Sequence, residues 1–328
     1  MMTRIVLGSP VKCHIASMVA AGLMIHSLGR TSSAQQVDLS PRFELGATYH
    51  YVSSSRIENE IQIDSAQAPE KIRVRTKAGM AFKVMRVEPD GSATIAWTLK
   101  YLSISADGMI PGVDGMLDYD SRTDAGTSLL APLFAGFIDN PVSVRVDAKG
   151  NVVDFQHVGS GGSINPLGSL LQGLMSKQAF EQLPLMATSG APNFAKRGTT
   201  WQRTTSVEMP WGSGAIAMTQ IFKVKRFDPR RGTTVLQMRG TLTKANSNTP
   251  AATGKPPKST RNALKLNAGS TQGTYIWNHK AGRLQSAESQ LTIKTKINTL
   301  LGPANLTQKM SSSVRYVEGL SGESREAG

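Results

Sequence analysis

The chain has 328 residues, 39% of them hydrophobic, and its 37 Lys+Arg against 23 Asp+Glu give a formal net charge of +14. That length is enough for two domains of ordinary size. The single cysteine, Cys13, excludes an intramolecular disulfide and any site that needs two thiolates.

Arg4 and Lys12 precede an apolar run from Ile15 to Ile25, and small residues Ser32 and Ala34 follow. This charged, apolar, small-residue order predicts a signal peptide over 1–34, cleaved after Ala34. The apolar run is shorter than the roughly 20 residues that span a bilayer. Cys13 lies before it, so it cannot be a lipidated cysteine. The expected location is periplasmic or extracellular, with no transmembrane segment once the signal is removed.

From 35 to 158 the sequence reads as a β-rich unit. In KIRVRTK, Ile72 and Val74 face one way, and Lys71, Arg73, Arg75 and Lys77 the other. In IAWTLKYLSI, the alternation puts Ile95, Trp97, Leu99 and Tyr101 on one face. EPDG at Glu88 and AKGN at Ala148 read as hairpin turns. GTSLLAPLFAGFID, 126–139, predicts a short helix capped by Thr127 and kinked at Pro132.

A helical linker is expected over 159–192. Leu167, Leu170, Leu171, Leu174 and Met175 form one helical stripe, and a second short helix follows Ser176 with Ala179, Phe180 and Leu183, ending before Pro184. A second β-rich unit is expected over 193–317. In QLTIKTKI, Leu291, Ile293 and Ile297 oppose Lys294 and Lys296, and later Met310, Val314 and Tyr316 share a face. The polar, Pro-rich stretch 245–262 reads as a long hairpin loop, and 318–328 as a disordered tail.

The two β-rich units echo each other. FKVMRVEPDGSATI at Phe82 and FKVKRFDPRRGTTV at Phe222 share six of fourteen residues without a gap. GATYHY at Gly46 and GTTWQR at Gly198 precede them, and VRVDAKGNVVDF and YIWNHKAGRLQS follow. The constant order predicts an internal duplication. The expected fold is mainly β with a few helices: two repeated curved antiparallel sheets, half-barrel-like, joined by a short helical segment. Charge divides unequally between the units. Residues 35–190 hold 13 Lys+Arg and 17 Asp+Glu, whereas 191–328 hold 21 and 6. A basic second half suggests an anionic partner, although lysines on wet sheet faces also block edge pairing.

No catalytic constellation emerges. His50, His157 and His279 lie in three separate strands with no metal-binding spacing. Asp114, Asp118, Asp120 and Asp124 lack the EF-hand order. GSGG at Gly159 and WGSG at Trp211 fit neither a nucleophile elbow nor a P-loop. The expectation is therefore no catalytic residue, no metal and no cofactor. The candidate ligand-binding residues are the cations Lys223, Lys225, Lys294 and Lys296, with Phe222 and Trp277 beside them. An exported protein meets anionic lipid or acidic polysaccharide rather than nucleic acid, so no nucleic-acid partner is expected.

The order G-x-x-Y/W, a helix-bearing middle, then GTTW and GTYIWNHKAGRL before a long alternating strand resembles a family of uncharacterised exported bacterial proteins with duplicated β-rich units. Their architecture is similar to lipoprotein-carrier half-barrels, which cup acyl chains beneath a helical lid. The resemblance spans Phe43 to Val317 and carries over no functional residue. It implies a non-catalytic binding module for an amphipathic or anionic ligand, a lipid or an envelope polymer. An envelope scaffold without a small ligand and an undetected hydrolase are the alternatives. Whether the apolar helices plug the sheets or line a pocket stays open at this level.

Overall fold

Long alternating strands need partners on both edges, and here they find them in one sheet. A computed structural model of the chain describes residues 36–62, 69–107, 117–124, 130–156, 177–208, 215–244, 265–299 and 302–320. The signal peptide, the stripe from Leu167 to Met175, the loop 245–262 and the tail beyond 320 lie outside the described residues.

Residues 36–156 contribute β1 (Gln36–Asp38), β2 (Thr48–Gln62), β3 (Glu70–Val87), β4 (Ala93–Asp107), β5 (Leu117–Asp120), β6 (Val142–Val146) and β7 (Val152–Gln156). Residues 194–317 contribute β8 (Phe194–Lys196), β9 (Thr200–Glu208), β10 (Ala215–Asp228), β11 (Thr233–Lys244), β12 (Lys265–Asn278), β13 (Arg283–Thr299) and β14 (Gly302–Val317). Helix α1 (Ala131–Phe134) follows β5, and α2 (Lys177–Gln182) leads into a 3-10 turn at Pro184–Met186. The mainly β, antiparallel class is the one expected. Twelve strands join in one sheet, ordered β7-β6-β4-β3-β2-β14-β13-β12-β11-β10-β9, with β5 beside β4, while β1 and β8 pair in a separate two-stranded sheet. The last strand closes the seam: β14 pairs with β13 on one side and with β2 on the other.

The same backbone devices stand at matching places in the two halves. The N–H of Gly46 donates to Val84 O and Val84 N–H donates to Ala47 O, both at 2.9 Å; the Gly198, Val224 and Thr199 trio repeats this at 2.9 Å. Both glycines hold φ of +79° and +90°, which L side chains avoid. A register shift follows Val84 in β3 and Val224 in β10. Others fall at Val153 in β7 and at Gln285 in β13. Each inserts one residue and sharpens the local twist.

The core lies on one face of the sheet, toward the turn end of the strands. Phe82 stacks on Trp97 with centroids 6.5 Å apart, and Phe222 on Trp201 at 5.4 Å. Phe180 of α2, fully buried, sits among Phe82, Trp97 and Phe155 at 5.5–6.2 Å. The Tyr51 hydroxyl donates to Leu284 O at 3.2 Å, reaching from β2 across β14 to β13. Aromatic residues from both halves and from the linker thus fill one cluster. Burial of this kind is worth about 25 cal/mol per Å² of apolar surface, so the two halves are stabilised jointly. The short helix expected after Ser176 is α2, and Pro132 lies in the first turn of α1 rather than at a kink.

One strand departs from simple alternation. Ile95, Trp97 and Leu99 face the core, but Tyr101 does not share their face. Met80 pairs with Leu99 and Gly79 with Tyr101, so Lys100 is an extra residue that turns Tyr101 to the other side. There its ring lies over Gly79, where a Cβ would stand 2.2 Å from a ring carbon. The Arg122 guanidinium covers the ring, 4.5 Å from its centroid.

Candidate functional site: a polar trough opposite the core

The face opposite the core carries polar side chains on every central strand. Ser54 and Arg56 on β2 stand beside Lys77 and Arg75 on β3, which stand beside Ser103 and Ser105 on β4. On the other side of β2 come Ser313 and Ser311 of β14, Glu288 and Gln290 of β13, then Thr274 and Gln272 of β12. These residues line a trough of about 740 Å³. A depression of about 390 Å³ continues along the strands, sharing Arg56, Gln290 and Ser311 and adding Glu58, Thr292 and Lys309. The sequence folds this way because period-two alternation puts apolar residues on one face and these on the other.

Arg56 and Arg75 are directly opposed in the β2–β3 register, and like charges so placed cost stability. Glu58 offsets part of this. The Arg56 Nε and Nη2 both donate to Glu58 Oε1, at 3.1 and 2.6 Å, and Arg73 lies 3.9 Å from the same oxygen. The hydrogen bonds from Arg56, helped by its charge, hold the Glu58 carboxyl below its usual range. Glu58 is therefore ionised and turned toward Arg56 and Arg73. Among the described residues, no carboxylate lies within ion-pair distance of Arg75. Across the trough, Gln272 donates to Gln290 Oε1 at 3.1 Å, fixing two carboxamides side by side. Lys77 is half-buried and contributes to lowering the Asp120 carboxyl, after the hydrogen bond from Arg122 and the backbone around it.

Among the described residues, a much smaller space lies beneath the aromatic cluster on the core face. A cavity of about 60 Å³ lies among Phe43, Tyr49, Tyr51, Phe82, Trp277 and Leu284. Small-molecule pockets are typically several hundred Å³, so this one holds no acyl chain. Burial raises the Tyr275 hydroxyl to about 12 and pushes Tyr51 higher still, so both phenols stay neutral.

The sequence-derived candidates divide between the two faces. Phe222 and Trp277 stand in the core, fully and nearly fully buried. Lys223, Lys294 and Lys296 are exposed on the trough's face, toward its flanks, and Lys225 is the extra residue of the β10 register shift. The sheet's thickness thus separates the aromatic pair from the lysines. Arg56, Arg75, Lys77 and the serine rows were not among the candidates. Their signal was present in KIRVRTK, whose cations alternate with Ile72 and Val74. What was missing was the neighbour: nothing in that stretch reveals that β14 and β13 extend its polar face. Among the described residues no group of three His, Cys, Asp or Glu could hold a metal ion. No helix among them is long and apolar enough to cross a membrane. His279 accepts or donates one bond, 2.9 Å from the Thr234 hydroxyl, and nearby burial together with Lys280 and Arg42 lowers its pKa.

No protein-family model and no curated protein sequence matches the chain. Among solved structures, lipovitellin, determined for its lipid-protein interactions, is similar at 10% identity with a TM-score of 0.46. That match covers 88% of this chain but 27% of lipovitellin, so the chain spans about a quarter of that protein. An outer membrane channel from Pseudomonas putida F1 is similar at 7% identity and TM-score 0.25, covering 84% of this chain and 97% of the channel. The translocator domain of the autotransporter NalP from Neisseria meningitidis is similar at 9% and 0.20, covering 92% and 97%. Likeness this weak carries no inference about function.

Proposed function

We propose that this is an exported, non-catalytic binding protein that takes an anionic, hydroxyl-rich polymer of the cell envelope, an acidic polysaccharide, along the polar trough. The observation that carries this reading is the register pair Arg56–Arg75 at the trough floor. Two guanidiniums held opposite each other cost stability in the free protein, and an anion between them relieves that cost. Arg is suited to the role because its planar fork bonds carboxylates and sulfates through two parallel N–H groups. The flanking Ser, Thr and Gln rows supply the donors and acceptors that sugar hydroxyls need. The continuation along the strands suits a chain rather than a compact ligand. Export rests on the charged, apolar, small-residue order up to Ala34.

The reading is tested with polygalacturonate, neutral dextran and anionic phospholipid vesicles, each at about 50 and 300 mM salt. Polygalacturonate binding that weakens with salt, without dextran binding, supports it, because attraction between exposed charges is screened within about 8–10 Å. Binding to vesicles without binding to polygalacturonate replaces the polysaccharide by a lipid headgroup. Intact mass of the protein recovered outside the cytoplasm tests export; the expected first residue is Gln35.

A further inference from the structure

A second concavity lies far from the trough, where α2 approaches the edge strand β9. It measures about 170 Å³ and is lined by Asn151, Glu181, Ser189, Arg203 and Thr204 among others. Arg203 enters from β9 on the core face. Its Nη1 donates to Met186 O at 2.6 Å, and its Nε and Nη2 both donate to Gln220 Oε1, at 3.2 and 2.7 Å. The guanidinium also lies over the Phe222 ring, 5.4 Å from its centroid. Every partner is neutral. Three of the five N–H donors are used and two remain. Among the described residues no carboxylate comes within ion-pair distance of this cation, although it is largely withdrawn from water. Desolvation accordingly lowers its pKa, opposed by Tyr275 and Glu181.

The opposite charge lines the same cavity. Glu181 comes from α2, and among the described residues its one ion pair is a long one, 3.7 Å from Lys177 Nζ on the same helix. The remaining wall is neutral and already organised. The Ser189 hydroxyl donates to Asn151 Oδ1 at 2.5 Å, and Asn151 Nδ2 donates to Asp147 Oδ2 at 2.7 Å. One cation and one anion thus line the same small polar cavity without touching. A ligand bearing one charge would gain at one wall and lose at the other. A ligand bearing both would gain at each.

We propose that this cavity is a site for a small zwitterion, a free α-amino acid, whose carboxylate meets Arg203 and whose ammonium meets Glu181. The volume accommodates a molecule of glycine or alanine size, and it would replace the several waters such a polar space otherwise holds. The α-carboxylate takes the two unused N–H donors of Arg203, a charge-assisted pair. The Asn151 and Ser189 side chains, held by their own hydrogen bonds, set the width of the site and exclude long side chains. This inference is independent of the trough. It also gives the linker a role beyond packing, since α2 brings Glu181 to a strand of the second unit.

The test is equilibrium dialysis of the full chain against labelled glycine, acetate and methylammonium, each alone. Glycine is expected to bind at least tenfold more tightly than either fragment. Glu181→Gln, at a partly exposed helix position that leaves the fold intact, is expected to bring glycine down to the level of acetate while acetate is unchanged or improved. Arg203→Gln is expected to abolish both glycine and acetate binding, with folding checked by circular dichroism. Polygalacturonate should not compete with glycine. Equal affinity for glycine and acetate, no binding of any of the three probes, or a Glu181→Gln variant that binds glycine normally would each overturn the proposal.

Discussion

The two halves of the sheet, β2 to β7 and β9 to β13, share backbone devices beside an aromatic core and differ in the side chains of their polar face. Phe82 and Phe222 each stack on a tryptophan and each precede a register shift, but Trp97 comes from the strand after Phe82's and Trp201 from the strand before Phe222's. Turned over, the halves differ. The first presents Arg56, Arg73, Arg75 and Lys77 in neighbouring positions. The second presents Lys223 on β10, Arg239 on β11, and Lys294 and Lys296 on β13. Yet residues 35–190 carry more acids than bases, 17 against 13, and residues 191–328 the reverse, 6 against 21. Several acids of the first half are held in turns and side pairs: Glu88 with Arg86, Asp139 with Lys100, and Asp147 in the β6–β7 turn, while Glu58 and Asp120, at the trough's margin, are each paired with an arginine. Net charge of a segment therefore says little about the field over a particular face. The cations of the trough come mainly from the half with the excess of acids.

The shared core is the first place to break this comparison. Phe82→Ala and Phe222→Ala should each cost about 3–5 kcal/mol, measured by urea denaturation, because each leaves a cavity in the same packed cluster. One cooperative transition is expected in both variants. Two separate transitions, or a loss confined to one variant, would mean that the halves fold on different cores.

Gly79 sharpens the difference between the halves. Gly79→Ala should cost about 1–3 kcal/mol, since its Cβ would overlap the Tyr101 ring. Thr219, which stands 140 residues on as Phe222 does from Phe82, has no such ring above it; Thr219→Ala should stay within about 0.5 kcal/mol. Pairing Gly79→Ala with Tyr101→Ala should recover the strain part of the loss, read as non-additivity in a double-mutant cycle. Equal costs at positions 79 and 219 would show that the bulge at Lys100 is not what sets the halves apart.

The polar faces differ in a way that binding can measure. Arg56→Gln with Arg75→Gln should weaken polygalacturonate about tenfold, roughly 1.4 kcal/mol, and flatten the salt dependence. Lys294→Gln with Lys296→Gln should weaken it less than threefold. The reverse ranking would move the site from the first half to the second.

The smallest expected effect is a pH dependence. The His279 pKa is lowered by burial and by nearby Lys280 and Arg42, so the folded state binds a proton less readily than the unfolded chain. Its contribution to stability is therefore present above the ordinary histidine pKa of 6.5 and is lost as pH falls through the lower folded value. His279→Gln should flatten the stability profile on the acid side of pH 6.5. Glu58, also shifted downward, acts at lower pH and would leave that window unchanged. The first half has no histidine at the matching turn, so Asp147 variants should not alter the profile there.

Much of this was legible in the residues. Alternation identified the strands, Gly and Pro marked the turns, and the spacing of Ala179, Phe180 and Leu183 marked α2. The face of each residue in KIRVRTK and QLTIKTKI follows from period two alone, because successive side chains point to opposite sides of a strand. Alternation fails where an extra residue enters, as at Lys100, and Tyr101 is the result. Local pattern also has no information about which strands become neighbours. That β14 returns to lie between β2 and β13 is a pairing across more than 240 positions, decided by the closure of one core that Phe180, Tyr51 and Trp277 fill together. This pairing brings Arg56 beside Ser311 and Gln290, and so makes a continuous trough from strands that are distant in the chain. The sequence by itself determined the two faces of each strand; the long-range pairing alone decided which polar residues share a surface, because the hydrogen bonds between distant strands form only when the apolar face beneath them is buried.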